Sequence, residues 1–244
     1  MPIYLLNDEL VFPPPEGASP EGVVAAGGDF RVERLILAYS QGIFPWPHSD
    51  MPLLWFSPNP RFVIDLRQVH VSTSLRKTIR SSPYAIKFDT RFEDVMRGCK
   101  HTPRPGQDGT WITDELIAGY TALHELGFAH SIEAYEGDEL VGGLYGVSLG
   151  RAFFGESMFA TRPDASKIAA TTLFGNLRAW GFHFVDCQVY TDHLARFGAE
   201  EIPRGAFLQQ LHRAVSEPTR RGTWNVELAP AAALECLRQG PQAA

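Results

Sequence analysis

Residues 129–190 constrain the fold more than any other stretch of the chain. The helical period is lost over 129–135, 140–149 and 152–159, with Glu136-Gly137-Asp138 and Gly150 as the turns between them. Three such runs joined by short connections predict three consecutive antiparallel strands. Pro163 and Asp164 then lead into a helix predicted over 165–180 and ended by Gly181, followed by a strand predicted over 183–190. Strand, strand, strand, helix, strand is an α+β order with a mostly antiparallel sheet.

Upstream the pattern is looser. Residues 1–61 are rich in Pro, Gly and aromatic side chains, and read as a small, irregular N-terminal domain with Pro58 and Pro60 at its boundary. Leu35, Ile36 and Tyr39 at helical spacing predict a helix over 32–40, with Asp29 as the candidate cap and Gly42 as the stop. Leu116, Ile117, Tyr120, Leu123 and His124 form a second helical stripe over 113–126, terminated by Gly127. The expected division is 1–61, then a larger domain over 62–232, then an Ala/Gln-rich frayed tail over 233–244.

The 244 residues include 22 Lys+Arg and 28 Asp+Glu, a formal net charge of −6. Taken as an average, that argues against a polyanionic partner. The charge is not evenly spread, however. Between Leu66 and Arg104 nine basic residues face three acidic ones, a local charge of +6 that leaves −12 on the remainder. Ser72 or Thr73 can cap a helix on which Arg76, Lys77 and Arg80 share one face. Such a face is either a phosphate-backbone footprint or an ordinary solvated surface. No apolar run reaches the roughly 18 residues of a membrane span, and the first residues lack the pattern of a secretory leader, so a cytoplasmic protein is expected. Cys99, Cys187 and Cys236 are widely separated and offer neither a disulfide framework nor metal-ligand spacing.

Two short runs carry candidate chemistry. Strand alternation in Val185-Asp186-Cys187-Gln188-Val189 puts Asp186 and Gln188 on one face and Cys187 on the buried one. The carboxylate can then orient the amide, leaving the amide oxygen to accept a hydrogen bond from an amine; the plainer reading is a polar pair at a strand end. In Phe154-Gly155-Glu156-Ser157-Met158 alternation aligns Phe154, Glu156 and Met158, a carboxylate within an apolar stripe that needs a partner or a function. The serine-hydrolase elbow is excluded because Phe159 stands where its last Gly belongs. Trp46, Trp55 and Trp111 are either packing or platforms for a flat ligand.

Several segments together resemble the leucyl/phenylalanyl-tRNA–protein transferase family. They are Phe12-Pro13 with Pro15-Glu16-Gly17-Ala18, Gly27-Gly28-Asp29, Gly42-Ile43-Phe44-Pro45-Trp46, Trp55-Phe56-Ser57-Pro58-Asn59-Pro60-Arg61 and Gly109-Thr110-Trp111-Ile112-Thr113. The densest matches are His124-Glu125-Leu126-Gly127, His130-Ser131-Ile132-Glu133, Leu140-Val141-Gly142-Gly143, Tyr145-Gly146-Val147, Gly155-Glu156-Ser157-Met158-Phe159, Ala165-Ser166-Lys167 and Asp186-Cys187-Gln188-Val189.

The resemblance implies transfer of Leu or Phe, with Met as a third donor group, from aminoacyl-tRNA to an N-terminal Arg or Lys, marking the acceptor for N-degron degradation. It also implies a Gcn5-related N-acetyltransferase-like (GNAT-like) larger domain that works without acetyl-CoA; Thr161-Arg162-Pro163-Asp164 indeed lacks a glycine-rich pyrophosphate loop. By resemblance Gln188, polarised by Asp186, meets the acceptor amine, and Glu156 anchors the aminoacyl end or the acceptor's cation. Trp46 and Trp111 brace the terminal adenosine with help from Tyr120, while Leu144, Met158 and Ala170 line the side-chain pocket. Arg76, Lys77 and Arg80 are then the tRNA footprint, and a monomer with no cofactor or metal is expected. The competing readings are a CoA-dependent N-acyltransferase on the same fold and a tRNA-binding module without catalysis.

Overall fold

The computed structural model describes residues 3–48, 51–102 and 110–238. Arg104 of the basic stretch and Gly109 of the family-like segments lie outside them. The first part of the chain runs β1 (Tyr4–Leu6), β2 (Val23–Gly27), α1 (Val32–Ser40), β3 (Phe44–Trp46), β4 (Leu54–Phe56) and β5 (Arg61–Asp65). Next come α2 (Thr73–Ser81), β6 (Ala85–Phe88), α3 (Phe92–His101), α4 (Asp114–Glu125), β7 (Ala129–Glu136), β8 (Glu139–Leu149) and β9 (Ala152–Ala160). The described residues continue through α5 (Ala165–Ala179), β10 (Phe184–Gln188), α6 (Asp192–Ala195), β11 (Glu200–Ile202), α7 (Arg204–Val215) and α8 (Pro230–Arg238).

The architecture is α+β with two sheets of mixed orientation. The smaller is ordered β1-β2-β4-β3 and the larger β11-β5-β10-β9-β8-β7-β6. Among the described residues the only parallel pair of the larger sheet is β9 with β10, joined by α5. The three predicted strands and the helix after them appear within a residue or two of their expected limits. Local chemistry explains the helix starts: Ser72 Oγ accepts the Leu75 N–H of α2, and Thr113 Oγ1 accepts the Leu116 N–H of α4.

Two apolar cores sandwich the large sheet. One gathers side chains of α1, α3, α4 and α7 with Val24, Ala25, Phe44 and Trp55 of the small sheet, so both sheets contribute to it. The other takes Leu75 and Ile79 of α2, the buried face of α5, and Leu234 and Leu237 of α8.

Three expectations need correcting. The N-terminal segment is not irregular: β1, β2, β3 and β4 pair as a four-stranded sheet around a buried Trp55, whose Nε1 donates to Gly27 O at 2.8 Å. Asp29 does not cap α1; the cap is Arg31, and Asp29 instead accepts from the Arg31 N–H and the Arg34 Nε. Residues 233–238 of the expected tail are helical, because α8 has an apolar face of Ala233, Leu234 and Leu237 that α5 covers. Helix-on-helix approach there is close, and a Cβ on Gly175 of α5 would lie 2.5 Å from the Ala233 Cβ.

Candidate active site

β9 and β10 pair from Phe184↔Ala152 to Asp186↔Phe154 and then separate, each with an irregularity at the fork. Against β8 the register of β9 slips between Tyr145↔Ser157 and Gly146↔Gly155, which leaves Glu156 as the extra residue of a bulge. Against β5 the register of β10 slips between Asp186 and Gln188, and Gln188 adopts φ +65°. A non-glycine residue in the left-handed region costs about 1–2 kcal/mol unless its surroundings hold it there. The two bulges turn their side chains toward each other. Gln188 Nε2 donates to Glu156 Oε1 at 2.7 Å.

The holding is done by a buried ion pair. Asp186 Oδ1 accepts the backbone N–H of Gln188 at 2.9 Å. Arg61 grips both carboxylate oxygens of Asp186, from Nε at 2.8 Å and from a terminal nitrogen at 2.6 Å, and neither side chain is exposed. The other terminal nitrogen of Arg61 donates to Gly42 O at 3.1 Å, and the guanidinium lies between the Phe44 and Phe207 rings. Such a charge is tolerable inside only because its donors and faces are satisfied.

Glu156 is held from the opposite side by two tyrosines. Tyr39 Oη donates to Oε1 at 2.7 Å, Tyr120 Oη reaches Oε2 at 3.4 Å, and the two hydroxyls touch each other. Burial, with a smaller push from the negative Asp186, raises the Glu156 carboxyl to about 7 against the pull of its Tyr39, Gln188 and Tyr120 hydrogen bonds. The same burial, reinforced by Glu156, holds both phenols well above their ordinary range, so they remain donors.

Glu156 and Gln188 face a cavity of about 590 Å³ in the fork between the strands. Its deep wall is apolar: Leu144, Phe153, Met158, Ala170, Phe174 and Val185. At the mouth stand Trp46 and Trp111, the former in an aromatic group with Phe44, Phe56 and His48. The short helix α6 closes one side with His193 and Leu194. An apolar depth, a polar throat and an aromatic rim suit a ligand that is part apolar side chain and part planar ring.

Comparison with known proteins decides the family. Residues 63–212 match the model of the leucyl/phenylalanyl-tRNA protein transferase family and residues 28–59 match the model of that family's N-terminal domain. The leucyl/phenylalanyl-tRNA–protein transferase of Myxococcus xanthus is 59% identical over 92% of this chain and 97% of its own. That of Anaeromyxobacter sp. strain Fw109-5 is 56% identical over 93% and 97%. This chain belongs to the leucyl/phenylalanyl-tRNA–protein transferase family. Among solved structures, a conserved protein of unknown function from Staphylococcus epidermidis aligns with TM-score 0.41 and 13% identity, covering 74% of this chain and 68% of its own.

In this transferase the cavity brings together seven of the nine residues expected to take part in catalysis or in binding the aminoacyl end. Glu156, Gln188, Trp46, Trp111, Leu144, Met158 and Ala170 line it, and Tyr120 lies behind Glu156. Arg76, Lys77 and Arg80 lie elsewhere, on α2. Two expectations about orientation fail. Asp186 does not hold the Gln188 side-chain amide; it holds the backbone N–H, and the amide goes to Glu156. Phe154 and Met158 do not share a face, because the bulge at Glu156 inverts the alternation: Phe154 packs in the core with Tyr39 and Met158 against the other core. Trp55 is wholly buried, and Cys187 is a buried thiol on the cavity wall that burial pushes well up from its ordinary range. Sequence reasoning missed Arg61 and placed Tyr39 merely in an apolar stripe; its hydroxyl, in a stripe that faces a buried carboxylate, is the one signal available.

Proposed function

We propose that this enzyme transfers Leu or Phe, with Met as a third donor group, from aminoacyl-tRNA to the N-terminal Arg or Lys of a protein, marking it for N-degron degradation. The observation that carries the reading is the pairing of Glu156 with Gln188 at the throat of an apolar cavity. The donor ester is already activated, so the protein must hold it against an α-amine and manage protons. The acyl side chain occupies the apolar depth beside Leu144, Met158 and Ala170, and the terminal adenosine rests on Trp46 and Trp111.

Because the NH₂ of Gln188 is turned to the Glu156 carboxylate, its amide oxygen is left for the acceptor amine. A neutral amide is too weak a base to take the proton. Glu156, balanced near neutrality, takes it from the incoming ammonium. The freed amine attacks the ester carbonyl, a C–N bond forms, and the ester C–O bond breaks. The second amine proton passes to the departing ribose oxygen, directly or through water. Asp186 acts one step removed, fixing the bulge that presents Gln188.

The β7-β8-β9 meander and the parallel pair β9-β10 around α5 support a GNAT-like reading of residues 62–232. The named relatives do not favour the CoA-dependent alternative. A cytoplasmic site of action and a monomeric enzyme are part of the proposal; no helix among the described residues is long and apolar enough to cross a membrane. The test is transfer of labelled Phe from charged tRNA to Arg-initiated and Asp-initiated peptides without CoA. Label on the Arg peptide alone is expected; no transfer by folded protein overturns the reading.

A further inference from the structure

Outside the cavity, the C-terminal helix places an unusual charge group beside the basic face of α2. Glu235 of α8 sits between two arginines: Arg80 of α2 reaches its Oε1 at 3.1 Å, and Arg238 reaches Oε1 at 3.1 Å and Oε2 at 3.0 Å. All three side chains are about half exposed, at 53%, 50% and 49%. Arg80 and then Arg238 hold the Glu235 carboxyl below the usual carboxylate range. Beside this group a groove of about 290 Å³ runs between the two helices, with Arg76 on one wall, Arg238 on the other, and Val69, Val71, Leu234 and Leu237 beneath.

We propose that α8 completes the tRNA surface: a backbone phosphate of the donor tRNA binds between Arg80 and Arg238, beside the α2–α8 groove, in the place that Glu235 occupies until tRNA displaces it. The inference rests on the transferase reading above. Two guanidiniums converging on one anion match the charge and fork geometry of a phosphodiester. Half-exposed ion pairs are weak and exchangeable, so Glu235 yields to a phosphate that also brings counterion release. The apolar floor keeps α8 on α5 while its charged rim faces α2, and this ties α8 to nucleic-acid binding. Lys77, exposed on α2, forms no ion pair among the described residues and extends the same surface.

The test is titration of the full-length protein with a leucine-accepting tRNA across a salt series. Glu235→Gln is expected to bind about 2–5-fold tighter, and Arg238→Ala about 3–5-fold weaker with a salt slope shallower by about one. Glu217→Gln, the same charge change just past α7 on the other core, controls for net charge. Unchanged affinity in both α8 variants, or an equal gain in Glu217→Gln, overturns the proposal. If in that case Arg76→Ala with Lys77→Ala still weakens binding, the footprint is confined to α2. Transfer to the Arg-initiated peptide, measured alongside, reports on the function independently of either result.

Discussion

At the scale of single residues, Glu156 carries the sharpest consequences. Its carboxyl is raised from 4.5 to about 7, so it is half ionised near neutrality. As the base of the proposed reaction it must be ionised, and kcat/KM is expected to climb with pH through about 7. Glu156→Gln should lower kcat by about 10²–10⁴-fold and remove that limb, leaving only the rise set by the acceptor's own α-amine near 8. The stability effect has the opposite sense. A carboxyl whose pKa is higher in the folded state favours folding when protonated, and that contribution is lost as pH rises from about 4.5 through about 7. Thermal melts at pH 8 should therefore find Glu156→Gln a few degrees more stable than the parent protein, and a lower Tm for the variant would contradict the burial argument. Arg61 shows the limit of reading such residues from sequence. An arginine after two prolines looks like surface, and only the partner 125 positions away makes it interior.

At the scale of elements, periodicity and turn chemistry were legible almost throughout. Ser72, Thr113 and Gly127 mark helix ends where the side-chain caps and positive φ appear. What periodicity does not mark is a single extra residue. The bulge at Glu156 inverts the alternation downstream, so counting from Phe154 puts Met158 on the wrong face, and the slip between Asp186 and Gln188 sends the amide to Glu156 rather than to Asp186. The candidate residues could still be named, because a carboxylate and an amide among apolar neighbours stand out whichever way they point. Helix α8 escaped for a different reason. Its three apolar residues are too few to distinguish from a loose tail until α5 is present to cover them. Leu234, with no exposed surface, makes this measurable: Leu234→Ala should cost about 2–4 kcal/mol in urea unfolding, whereas a frayed tail would lose almost nothing.

At the scale of the whole molecule, the net charge of −6 conceals a division of labour. The basic stretch between Leu66 and Arg104 includes α2, whereas the aminoacyl cavity opens elsewhere, at the fork of β9 and β10. Substituting Arg76 and Lys77 together by Ala should weaken tRNA binding several-fold at ~0.1 M salt and reduce the slope of log affinity against log salt by about two, with transfer restored at high tRNA concentration. A slope identical to that of the parent protein would leave α2 an ordinary solvated surface.

Arg61 joins these scales. With one nitrogen it holds the Gly42 carbonyl, two residues before the strand that carries Trp46, and with two others it holds the carboxylate that fixes Gln188. In the proposed reaction the nucleoside shelf and the meeting point of the amine are thus ends of one rigid gauge. The span from ribose to α-carbon is the same in every aminoacyl-tRNA, so the gauge admits all of them alike. Discrimination among amino acids then falls to the depth of the cavity below, which can be reshaped without resetting the chemistry above it.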